Sequence, residues 1–226
     1  MKTILVAGSS KGIGQQIAQQ LIAKGHKVIG MSRTAADADT VHFTVDLLSG
    51  SLPVLEEPVD GIVYCPGSIN LRPFKSLKPD DYRNDFEINT IGAIKILQQY
   101  FSNLQMSATP SVVMFSTVAV QTGMPYHTSV AAAKGAIEGI TRSLAAEWAP
   151  KIRVNCIAPS LTDTPLAAKL IDTDARRQAS ADRHPLKKIG DSAHVAAMAC
   201  FLLSEEASFI TGQVIKIDGG ISSIKN

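Results

Sequence analysis

The chain of 226 residues is 45% hydrophobic and 19% charged, with 16 Gly and 11 Pro. That size predicts one domain, or two at most, able to bury about 70% of its unfolded surface; the composition excludes disordered, collagen-like and coiled-coil classes. A net charge of +2, with scattered Lys and Arg, excludes the basic stripe that a phosphate backbone needs. Cys65, Cys156 and Cys200 are odd in number and lack C-x-x-C spacing, which predicts free thiols in a reducing compartment. The apolar run before Gly8 is too short for a signal peptide. The longest near-apolar run, Val195 to Leu203, is far below the ~20 residues of a membrane span. A soluble cytoplasmic protein is the expectation.

In chain order, short apolar runs alternate with longer stretches of helical spacing. Thr3–Ala7 reads as the first strand. Ile13, Ile17, Leu21 and Ile22 then recur at helical intervals between glutamines, and Gly25 ends that helix. Further strands are expected at Val28–Met31, Val41–Val45, Gly61–Cys65, Val112–Phe115, Val154–Ile157 and Val214–Ile217. Helical stretches fall near 80–106, 127–148 and 191–204. Most of the strands are apolar on both faces, as in a parallel sheet covered by helices. The repeated βαβ order predicts a single doubly wound α/β domain over 1–226, with about seven parallel strands and helices on both faces. The least patterned region, about 160–190, is a candidate substrate lid.

Gly8-Ser-Ser-Lys-Gly12-Ile-Gly14 lies between the first strand and the first helix. Glycines there permit a tight turn and let a pyrophosphate approach the backbone N–H groups of a helix N-terminus. The spacing is G-x-x-x-G-x-G, and its place after the first strand gives it weight as a dinucleotide loop. Two other readings fit the same residues. Gly8-Ser-Ser10-Lys-Gly12 matches the G-x-S-x-G nucleophile elbow, but only one strand precedes it and no Asp and His partners stand out. A methyltransferase loop is the other. A Walker loop is excluded because Lys11 precedes Gly12. At the end of the second strand, Ser32-Arg33-Thr34 carries no acid to hold a ribose 2′-hydroxyl. Arg33 and Lys11, with neighbouring hydroxyls, suit a 2′-phosphate instead, which predicts NADP(H).

From residue 3 to residue 220 the sequence resembles the short-chain dehydrogenase/reductase family. Gly8, Ser10, Lys11, Gly12, Ile13 and Gly14 match its cofactor loop. Asp46-Leu47 matches its adenine-contacting pair. Tyr64-Cys65-Pro66-Gly67 stands where the family has Asn-Asn-Ala-Gly. Glu87-Ile-Asn89 matches the segment carrying its Asn. Asn155-Cys-Ile-Ala-Pro159-Ser160-Leu161-Thr162-Asp-Thr164 matches the segment over the nicotinamide, with Ser160 in place of Gly. Ile210-Thr-Gly-Gln-Val and Ile217-Asp-Gly-Gly220 match the last strand and its flanks.

The resemblance implies hydride transfer between a nicotinamide and a carbonyl or alcohol carbon of a small molecule. Its Ser, Tyr and Lys pattern, anchored on Lys134, falls on Thr117, Val130 and Lys134. Thr117 keeps a hydroxyl to hold the substrate oxygen. Lys134 would bind the nicotinamide ribose, and Asn89 would hold a relay water. Val130 has no proton to give, and Tyr126 or His127 are the candidate substitutes. The resemblance also implies a homodimer or homotetramer built through the helices near 80–106 and 127–148. If the missing acid silences turnover, a dinucleotide-binding sensor or scaffold is the alternative function. Cys65 and Trp148 read as packing residues. Asp182, Arg183 and His184 are read either as lining the substrate mouth or, in preference, as solvated loop residues, and no histidine spacing predicts a metal.

Overall fold

The computed structural model describes residues 1–36 and 40–224. Its first half runs β1 (Thr3–Ala7), α1 (Gly12–Ala23), β2 (Lys27–Ser32), β3 (Val41–Thr44), β4 (Gly61–Tyr64), α2 (Pro79–Phe86), α3 (Gly92–Gln99), α4 (Phe101–Met106) and β5 (Ser111–Phe115). The second half adds α5 (Ala119–Thr122), α6 (Thr128–Trp148), β6 (Arg153–Pro159), β7 (Thr162–Asp163), α7 (Asp174–Asp182), β8 (Gly190–Asp191), α8 (Ser192–Leu203) and β9 (Val214–Ile217). Seven strands form one parallel sheet in the order β3-β2-β1-β4-β5-β6-β9. The fold is thus the expected doubly wound α/β domain.

Both faces of the sheet are buried, for the reason visible in β1. Leu5 and Ala7 pack into one core with Ile96, Tyr100 and Ile137 of the α3, α4 and α6 side. Ile4 and Val6 point the other way, into a second core with Ile17 and Leu21 of α1 and Val195 and Leu203 of α8. Alternate residues therefore need to be apolar on each side. Trp148 packs on Phe101 with ring centroids 5.0 Å apart, as expected of a packing residue.

Two regions carry detail that the sequence does not show. The stretch 80–106 is helical, as expected, with two irregularities. A π turn at Glu87–Ile91 separates α2 from α3, and Tyr100 interrupts the path into α4. The extra residue of the π turn accompanies a bond from the Tyr64 phenol to the Ile88 carbonyl at 2.7 Å. The region 160–190 is also better ordered than its composition suggests. β7 pairs with β8 in a two-stranded ribbon, and α7 is capped by the Thr173 hydroxyl, which accepts from Arg176 N.

Candidate active site

The C-terminal ends of four adjacent strands, β1, β4, β5 and β6, carry most of the candidate residues. Strand order reverses between β1 and β4, so the connections diverge there and open a crevice, the usual ligand position in such sheets.

One half of the crevice is the glycine loop. Gly8 (φ +82°) and Gly12 (φ +58°) adopt left-handed backbone that other residues disfavour. A Cβ on Gly14 would land on the Gly8 carbonyl oxygen, so the loop can fold onto α1 only with hydrogen there. Lys11 precedes α1 with no side-chain cap, leaving first-turn N–H groups for an anionic ligand. The Thr34 hydroxyl donates to Ser10 Oγ at 3.1 Å, tying the loop to the end of β2. Arg33 and Lys11 are both exposed. Ser32, by contrast, is buried and donates its hydroxyl to the Thr34 carbonyl, so it shapes the turn. Asp46 accepts from Leu48 N at 2.9 Å; this bond first, and the Arg33 charge among the lesser causes, hold its carboxyl below the usual range. Leu47 is part of the core. These residues fit a dinucleotide: a glycine cradle with bare helix N–H groups and cations at the far end.

The other half is a cavity of about 570 Å³. Ile13, Cys65 and Gly67 form one wall, and Thr117, Val130 and Lys134 form another. Pro159, Ser160, Leu161, Thr162 and Thr164 close the third. Thr164 also reaches the glycine loop, where a Cβ on Gly12 would meet it at 3.5 Å. Pro66 lies against Gly8 in the same way, at 3.1 Å. Cys65 is thus a cavity residue as well as a packing one, and burial pushes its thiol up to about 12.

Lys134 and Val130 sit one turn apart on α6, which begins at Thr128. Lys134 is 7% exposed and Val130 6%. The Gly67 backbone lies against the Lys134 ammonium, which a Cβ there would meet in ordinary contact at 3.6 Å. Burial lowers the Lys134 pKa from 10.5 to about 8, with the Cys156 and Cys65 thiols opposing. One turn further, buried Glu138 accepts from Ser116 Oγ at 2.8 Å and so anchors the loop that presents Thr117.

Asn89 is fully buried in the π turn. Its amide donates to Ser68 Oγ at 2.7 Å and to the Asp85 carbonyl at 2.8 Å, and accepts from Ser68 N at 3.3 Å. Asn89 therefore pins the strand-end loop 67–68. α6 begins at Thr128, one residue beyond the expected start, so Tyr126 and His127 lie outside it, and both line the cavity. Tyr126 is 58% exposed at φ +69°, and His127 Nδ1 bonds the Pro125 carbonyl at 2.7 Å.

His184 corrects the sequence reading. Asp182 and Arg183 are exposed, but His184 is 2% exposed and hydrogen-bonded to Ser160. Ser68 and Glu138 were missed as site residues, and Arg183 and His184 were singled out but set aside as solvated. Ser68 and Arg183 line the cavity, and only the fold brings them there.

A burial-lowered lysine makes a signed prediction. Below pH 8 Lys134 is charged in both states and its burial penalty is present in full. Between about 8 and 10.5 the unfolded chain keeps the proton that the folded chain releases, so stability rises with pH. Lys134→Met is expected to stabilise the ligand-free protein at pH 7, on the order of 3 kcal/mol, with the gap narrowing toward pH 10. Urea unfolding at both pH values checks this, and a gap that widens with pH would reverse the sign.

Comparison with known proteins agrees with this geometry. A family model described as enoyl-(acyl carrier protein) reductase matches residues 55–222, and one described as short chain dehydrogenase matches residues 2–52. The chain belongs to the short-chain dehydrogenase/reductase family. Members of this family of oxidoreductases bind a nicotinamide dinucleotide. The chain is 32% identical to L-xylulose reductase from Bos taurus over 232 residues, covering 96% of this chain and 94% of that one. It is 30% identical to the 3-oxoacyl-(acyl-carrier-protein) reductase MabA from Mycobacterium tuberculosis, covering 97% and 92%. Ligand-free aldohexose dehydrogenase from Thermoplasma acidophilum superposes with a TM-score of 0.89 at 26% identity, over 100% of this chain and 96% of that chain. ElxO with NADP bound superposes at 0.87 and 25% identity, over 99% and 100%. No helix among the described residues is long and apolar enough to cross a membrane.

Proposed function

We propose that this short-chain dehydrogenase/reductase is an NADP(H)-dependent oxidoreductase acting on a small carbonyl or alcohol substrate. The observation that carries it is the buried Lys134 ammonium sharing one cavity with the Thr117 hydroxyl, beside a glycine cradle. The nicotinamide, when bound, supplies or accepts the hydride. Lys134 holds the ribose, and Thr117 donates a hydrogen bond to the substrate oxygen. Gly8 to Gly14 receive the pyrophosphate, and Asn89 keeps Gly67 and Ser68 in place beside Lys134. The segment 160–190 acts as the lid. The proton comes from a cavity group other than the aliphatic Val130, with Tyr126 and His127 as the candidates at the mouth. The free thiols suit a cytoplasmic setting, and a homodimer or homotetramer belongs to the same reading.

Arg33 and Lys11, with Ser10 and Thr34 between them and no acid at the end of β2, support NADP(H) over NAD(H). Fluorescence titration is expected to show tighter NADPH binding. Arg33→Ala should weaken NADPH by about 1.5–3 kcal/mol and leave NADH nearly unchanged, the value of a hydrogen bond to a charged group. Equal affinities in the wild type would defeat the NADP(H) assignment. Absence of binding to either dinucleotide at millimolar concentration would defeat the oxidoreductase reading.

A further inference from the structure

The two ring nitrogens of His184, just past the end of α7, are both engaged. Nδ1 lies 2.8 Å from the Ser180 carbonyl oxygen. A carbonyl can only accept, so the neutral ring carries its proton on Nδ1 and leaves Nε2 as an acceptor. Nε2 lies 3.0 Å from Ser160 Oγ, whose hydroxyl donates to it. With its one hydrogen turned to His184, Ser160 offers lone pairs to the cavity. Val118 N donates to the Pro159 carbonyl at 3.2 Å, which sets Thr117 and Ser160 side by side where β5 and β6 end. Thr117 has the opposite valence: its oxygen accepts from Ala119 N at 3.3 Å, and its hydrogen is available to a substrate oxygen.

A hydroxyl on an acceptor imidazole, itself oriented by a fixed partner, is the arrangement that moves a proton to and from a reacting oxygen. We propose that Ser160 and His184 form the proton relay of this oxidoreductase, an inference that rests on the function proposed above. Ser160 touches the substrate oxygen, and His184 acts through it. In the oxidative direction the substrate O–H bond breaks and its proton goes to Ser160 Oγ. The Ser160 O–H bond breaks in turn, and that proton goes to His184 Nε2, giving an imidazolium still bonded to the Ser180 carbonyl. The carbinol carbon gives up its hydrogen as hydride to the nicotinamide, and the C=O bond forms. Reduction returns both protons along the same path. Tyr126 is largely in solvent, and His127 is held to Pro125 at the mouth, so neither has this buried, two-sided support.

The first test needs neither cofactor nor turnover. Nitrogen-detected NMR of the ligand-free protein at pH 8.5 is expected to show His184 as the Nδ1–H tautomer, and any other state of the ring overturns the relay. The second is kinetic, with NADPH and a carbonyl panel. Ser160→Gly and His184→Gln are each expected to lower kcat by about 10²-fold or more while changing KM little. Ser160→Thr, which keeps a hydroxyl, should recover most of the rate. Ser160→Gly with kcat within threefold of wild type overturns the relay alone. So does a larger loss on Tyr126→Phe or His127→Gln than on Ser160→Gly, which would move the proton to the mouth. A wild type that binds NADPH but reduces nothing overturns the oxidoreductase reading, and the relay with it.

Discussion

Gly14→Ala is expected to weaken NADPH binding by 10²-fold or more, at least about 3 kcal/mol. The new methyl would occupy the place of the Gly8 carbonyl oxygen and lie 3.2 Å from the Cys65 side chain. The first obstacle is backbone, so relief requires the loop itself to move. That loop is already confined by Pro66 against Gly8 and by Thr164 beside Gly12. A displaced loop no longer aims the first N–H groups of α1 at a common point, which is what binds a pyrophosphate. Gly25→Ala provides the contrast. Gly25 also has a left-handed φ, of +79°, but a Cβ there meets nothing within 4 Å. It should lower stability by about 1–2 kcal/mol and leave NADPH affinity intact. Paired fluorescence titration and thermal melts check both, and a Gly14→Ala protein that binds NADPH like wild type would disprove the cradle.

Val130→Tyr, made in the Ser160→Gly background, is expected to raise the residual reductase rate by about 10²-fold. Residue 130 faces the cavity one helical turn from Lys134, so a phenol there would stand beside the buried ammonium. That charge favours the phenolate and makes the hydroxyl a better proton donor. In the wild-type background the same substitution should add little, because the Ser160–His184 pair already moves the proton. The pocket is shaped around a valine, and overpacking would cost about 1–3 kcal/mol, so the melting temperature is measured first. A well-folded, NADPH-binding double variant with no recovered rate would mean that position 130 does not face the reacting oxygen.

The sheet was legible in the sequence because its strands are apolar on both faces. A run such as Thr3-Ile-Leu-Val-Ala7 has no polar side to offer solvent. The glycine loop and Lys134 were legible because spacing along the chain carries them. The start of α6 was legible to within one residue, and Tyr126 and His127, singled out by their spacing from Lys134, both line the cavity. The π turn inside 80–106 was hidden because the Tyr64 phenol that bonds its Ile88 carbonyl lies more than twenty residues away in the chain. His184 was unreadable for the same reason. A histidine before Pro185 in a polar stretch looks solvated, and only the fold brings Ser160 to its ring.

The bond from His184 to Ser160 also limits what can be grafted. In an open α/β sheet the rim is the exchangeable part, because its loops can be swapped while the strand ends stay. Here the rim is fastened to the floor through the 3.0 Å contact between a residue after α7 and the residue after β6. A transplanted 161–190 segment that lacks this histidine would leave the Ser160 hydroxyl facing an empty wall. Chimeras that exchange substrate range in this chain therefore have to carry the serine and the histidine together, as one inherited unit.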